Sequence, residues 1–73
     1  MPASDGQDAW ITDEERAVLA AAATGLSIAE VAELLGRPSE AVRRSMASAI
    51  GRLGACSKLE AVVIALRHGL IRL

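Results

Sequence analysis

The stretch SIAEVAELLGRPSEAVRRSMASAIGRL, residues 27–53, decides the fold. It opens on Ser27-Ile-Ala-Glu30, a capping box in which the serine hydroxyl accepts from a first-turn amide and the glutamate reaches back. Leu26 and Val31 stand where a hydrophobic staple closes around that start. Gly36 supplies the left-handed residue that ends a helix. After the turn Gly36-Arg37-Pro38 a longer segment begins, with Val42, Met46, Ala49, Ile50 and Leu53 at three- and four-residue spacing, an apolar helical stripe. Its other face carries Arg43, Arg44, Ala47, Ser48 and Arg52. Gly51 within it costs about 1 kcal/mol relative to alanine and is a place for the helix end to fray. A short helix, a tight turn with glycine and a longer helix make a helix-turn-helix.

Working outward, the same punctuation returns. Thr12-Asp-Glu-Glu15 and Ser57-Lys-Leu-Glu60 repeat the capping box, each ahead of apolar periodicity. Gly25 and Gly69 fall at helix ends as Gly36 does. The sequence therefore predicts helices over 13–24, 28–35, 39–53 and 58–68. No segment alternates with period two, so the predicted class is all-α, a four-helix domain. Residues 1–10, with Pro2, Ser4, Asp5, Gly6 and Asp8, read as a flexible leader or linker, and residues 11–73 as the domain. Trp10 is expected to cover the edge of its core.

Seventy-three residues give room for one domain. At this size folding buries roughly 60% of the exposed surface, which leaves little room for an enclosed catalytic cleft. Hydrophobic residues make up 52% of the chain, much of it alanine, with no Phe or Tyr. That composition suits short helices approaching closely. Cys56 is the only cysteine, so no internal disulfide forms and a reducing, intracellular setting fits. The first ten residues lack the basic start and apolar run of a signal peptide, and no apolar stretch nears the roughly 20 residues of a membrane span. The expectation is a soluble, cytoplasmic protein.

The formal net charge of −1 conceals a division. Residues 1–36 carry seven acids against Arg16, a net −6, whereas residues 37–73 carry seven cations against Glu40 and Glu60, a net +5. One-faced nucleic-acid binders show this asymmetry, and so do charges that merely decorate solvated helix faces. Shape favours the first reading, because a helix about 10–12 Å wide fits a major groove roughly 12 Å across. Arg43, Arg44 and Ala47 would face base edges there, an arginine donating two hydrogen bonds to guanine, while Ala47 and Ser48 permit close approach. Ser27, Arg37, Ser39, Arg52 and Lys58 are candidates for phosphate contacts, which position a protein without reading sequence.

At these residues the chain resembles the LuxR/GerE-type DNA-binding domain, of the kind that serves response regulators as an output domain. The resemblance rests on Ile11-Thr12, Glu15, Val18-Leu19, Gly25-Leu26-Ser27, Ile28-Ala29-Glu30-Val31-Ala32 and Leu35. It continues through Val42-Arg43, Arg52-Leu53-Gly54, Glu60-Ala61-Val62 and Gly69-Leu70-Ile71. It spans residues 11–71, and both flanks are needed to make it specific. It implies four helices, the third reading DNA through Arg43, Arg44 and Ala47, and the fourth pairing subunits across a two-fold axis. Leu59, Val62, Val63 and Leu66, more apolar surface than one core seam requires, are the candidate dimer contacts. Within the DNA-reading unit the chain departs from the family. Ala41 replaces a usual Thr, Ser45 a frequent His, Pro38 a frequent Ser and Arg37 an apolar residue. A sigma-factor region-4 domain resembles only the central portion.

The remaining polar residues have plainer readings. His68 suits a helix C-terminus, where positive charge is favourable. Cys56 reads as an inert packed thiol. Asp13 with Glu14, and Glu30 with Glu33, are helix-start acids. There is no Gly-rich phosphate loop and no metal-ligand spacing, so no enzyme, cofactor or metal is expected. The expectation is a transcription regulator that binds double-stranded DNA as a homodimer. An N-terminal regulatory domain or RNA polymerase would be its further partners. The rival is a protein-interaction module that kept the fold without DNA recognition, motivated by Pro38, Glu40, Ala41 and the overall acidity.

Overall fold

A computed structural model describes residues 11–73, and within them four helices and no strand. The helices are α1 (Asp13–Ala22), α2 (Ile28–Leu35), α3 (Ser39–Leu53) and α4 (Lys58–Arg67). The all-α expectation is borne out. Trp10 and the leader lie outside the described residues.

Each helix begins where a side chain satisfies amides that the helix itself leaves unpaired, except α3, which starts after Pro38 without a side-chain cap. Thr12 accepts from the Glu15 amide at 3.1 Å while Glu15 accepts from the Thr12 amide at 2.8 Å. Ser27 and Glu30 do the same at 3.2 and 2.8 Å. The third box closes differently. Ser57 accepts from the Glu60 amide, but Glu60 takes its return bond from the amide of Cys56, one residue earlier. Ser57 sits at φ −158°, far more extended than Thr12 at −79° or Ser27 at −74°. That extension presents the preceding amide to the carboxylate instead of Ser57's own.

Three helix ends share one closure. The amides of Arg37, Ala55 and Leu70 reach back to the carbonyls of Ala32, Ile50 and Ala65 at 2.9, 3.0 and 2.8 Å. Such a back-bond requires a left-handed residue just before the donor. Gly36 supplies it at φ +67° in the tight turn between α2 and α3. α1 ends otherwise, two residues before the sequence predicts. Both the amide and the hydroxyl of Thr24 bind the Ala21 carbonyl, at 3.1 and 2.7 Å, which tightens the last turn ahead of Gly25. α3 runs unbroken through Gly51 to Leu53, so the fraying expected there is absent.

The core gathers Ile11, Val18 and Leu19 with Val31, Val42 and Met46, joined by Ala49, Ala61, Val62 and Ala65 and closed by Leu70 and Ile71. α3 packs against each of the other three helices. Of its anticipated stripe, Val42, Met46 and Ala49 are buried, and Ile50 and Leu53 are half-buried against that core. Alanines at the contacts let helix axes approach closely. Burying a side chain such as Val42 contributes about 1.5–3 kcal/mol. Among the described residues no helix is long and apolar enough to cross a membrane.

Candidate nucleic-acid interface

Because one side of α3 is fixed in the core, its opposite side is fixed outward. Arg43, Arg44, Ala47 and Ser48 are all exposed there, one turn following the next. Among the described residues neither Arg43 nor Arg44 has an ion pair or hydrogen bond through its guanidinium. Ser39, at the start of α3, and Lys58, at the start of α4, are exposed as well. Ser27 is exposed, its oxygen capping α2 and its hydroxyl proton still available to a second acceptor.

Four polar side chains, two of them candidate phosphate contacts, are engaged by acids of α1. Arg52 donates through Nε to Glu15 Oε2 at 3.1 Å, and the Ser48 hydroxyl donates to the same oxygen at 2.5 Å. Arg37 pairs through Nη1 with Glu14 Oε1 at 2.7 Å, and the Ser45 hydroxyl donates to Glu14 Oε2 at 3.2 Å. Both arginines are half exposed, and the Arg37–Glu14 pair, open to solvent on both sides, is worth about 0–1 kcal/mol. Glu15 differs from Glu14 in burial, being only 4% exposed. Burial pushes its carboxyl up. The hydrogen bonds from Ser48 and the Thr12 amide, with the charge and hydrogen bond of Arg52, outweigh that and hold it below its ordinary range.

Reading α1's acids as helix-start residues captures only half of their role. Glu15, Val18 and Leu19 lie on one face of α1 with buried Ile11 just before it, and a carboxylate among apolar neighbours must find donors. That spacing is a signal for Glu15. Nothing along the chain ties Glu14 to Arg37 or Ser45, because those contacts exist only once α1 lies across α3.

On α4, Leu59 is 73% and Val63 42% exposed, one turn apart. Leu66 is half-buried against the core. Val62, grouped with them as a candidate dimer contact, points inward and is 8% exposed. Its neighbours in the core leave little of it for a second subunit to touch. His68 stands at the α4 C-cap. Cys56 is exposed, not packed as the sequence suggests. Among the described residues no group of His, Cys, Asp or Glu is placed to hold a metal ion.

The arrangement of three helices packed around α3 matches the solved structure of the transcription factor GerE. The TM-score is 0.81, covering 86% of this chain and 94% of that one, at 22% sequence identity. The chain has the GerE fold. No family model matches the sequence, and no curated protein matches it. The GerE fold accounts for the flanks that a bare helix-turn-helix lacks, namely α1 packed across α3 and α4 returning against it. It also bears out the fold that the sequence resemblance implies.

Proposed function

We propose that residues 11–73 form the DNA-binding unit of a transcription regulator, with α3 entering the major groove and Arg43, Arg44 and Ala47 reaching base edges. The observation that carries this reading is the pair of arginines on the outer face of α3, without acidic partners among the described residues, opposite the buried Val42, Met46 and Ala49. A helix presented in this way meets the geometric need of groove docking, and unpaired guanidinium groups meet the chemical one. Ser39, Ser27 and Lys58 would position the unit on phosphates. GerE, whose fold the chain shares, is a transcription factor, which agrees with this reading.

The unit acts as a homodimer on two half-sites, through Leu59, Val63 and the exposed part of Leu66. Two-fold pairing of a helix-turn-helix sets half-site spacing at about one helical turn of DNA.

A second reading, a protein-interaction module, draws on one observation: Glu14 and Glu15 neutralise Arg37 and Arg52, two cations of the helix-turn-helix. Titrating the protein with duplex DNA at rising salt separates the readings. A DNA binder weakens steeply through counterion release, with a slope of about −0.9 per phosphate contact. Absence of duplex binding even at low salt would favour the interaction module.

A further inference from the structure

We propose that Glu14 sets the strength of duplex binding by holding Arg37 away from the phosphate backbone. This rests on the DNA-binding reading above. Arg37 directly follows the left-handed Gly36 in the turn of the helix-turn-helix. In groove docking the first helix of the motif crosses the backbone while the start of the second enters the groove. The turn between them therefore lies beside phosphates, and its guanidinium is a natural phosphate donor. In this chain one terminal nitrogen of that guanidinium already meets a carboxylate.

The carboxylate of Glu14 bridges two parts of the reading unit. Its Oε1 takes Arg37 from the turn at 2.7 Å, and its Oε2 takes Ser45 from α3 at 3.2 Å. Ser45 keeps the carboxylate oriented, so Arg37 meets a preformed anion. Both members of the ion pair remain partly exposed, at 52% for Arg37 and 29% for Glu14. An exposed pair contributes little to folding, so removing the charge of Glu14 releases Arg37 and leaves the fold intact. The Glu15–Arg52 pair is not equivalent. Glu15 is buried, accepts from three donors and ties α1 to α3, so its loss would alter the fold before it altered affinity.

The test is a double-mutant cycle read by duplex affinity against salt, using wild type, Glu14→Gln, Arg37→Ala and the double variant, each first checked for a cooperative thermal transition. Glu14→Gln should bind several-fold tighter near physiological salt, with a slope steeper by about 0.9 per subunit, the signature of one added phosphate contact. In the Arg37→Ala background that gain should vanish. Should Glu14→Gln fail to fold, Glu14→Ala enters the same cycle. An equal gain in both backgrounds would reduce Glu14 to a generic negative charge and overturn the inference, as would no gain at all. If no protein of the set binds any duplex, the DNA-binding reading itself falls and takes this inference with it.

Discussion

The Nε of Arg52, near the end of α3, lies 3.1 Å from Oε2 of Glu15, in the first turn of α1. The same oxygen accepts the Ser48 hydroxyl, and the other oxygen caps the Thr12 amide. One buried carboxylate thus begins α1 and fixes α3 beneath it. That contact joins the buried stripe in setting which face of α3 is left to solvent.

Loss of that carboxylate should be expensive. Glu15→Gln removes the charge that three donors address, and hydrogen bonds to a charged group contribute about 1.5–3 kcal/mol. A fall in urea-unfolding free energy of that order at pH 7 is expected. A change within experimental error would contradict the role given to Glu15.

Acid sensitivity follows from the same group. The folded-state pKa of Glu15 lies below its ordinary value of 4.5, so the folded form binds its proton less readily than the unfolded chain does. Its contribution to stability is therefore complete above about 4.5 and is lost as pH falls through the lower folded-state value. Unfolding free energies measured from about pH 7 down to about pH 3 should drop more steeply for wild type than for Glu15→Gln. Parallel pH profiles would refute the assignment.

Two glycines should respond with opposite signs. At Gly36 an added Cβ meets nothing within 4 Å, yet φ is +67°, so Gly36→Ala should destabilise by about 1–2 kcal/mol through backbone conformation alone. At Gly51 the space is equally open and the backbone is helical, so Gly51→Ala should stabilise by up to about 1 kcal/mol. Thermal melts of the two variants check both signs.

Under the proposed homodimer, the apolar face of α4 separates folding from association. Leu59→Lys should leave the melting temperature of dilute, monomeric protein nearly unchanged, since Leu59 is exposed, and should shift sedimentation at high concentration from dimer to monomer. Val62→Ala should instead destabilise the fold, by about 1 kcal/mol or more. A wild type that sediments as a monomer at high concentration, with and without DNA, would count against pairing through α4.

Much of this architecture is legible in the sequence because its determinants are local. Thr12, Ser27 and Ser57 announce helix starts within four residues, and Gly36 announces a stop. The stripe from Val42 to Leu53 orients α3 by periodicity alone. What escapes depends on how helices meet. Leu59, Val62, Val63 and Leu66 form one apolar arc, and only the docking of α4 decides that Val62 turns inward while Val63 turns out. Likewise Arg37, Ser48 and Arg52 look like free polar groups along the chain, and become partners of Glu14 and Glu15 only when α1 crosses α3. The early end of α1 reflects a local competition, between the hydroxyl of Thr24 and the next helical turn for the Ala21 carbonyl.

The claim that the outer face of α3 meets DNA is tested most directly by following backbone amide resonances as duplex is added at low salt. The largest shift changes should centre on Arg43, Arg44 and Ala47, with smaller ones at Ser39 and Lys58. Changes confined to the exposed faces of α1 and α2, or a spectrum that duplex leaves unmoved, would contradict it.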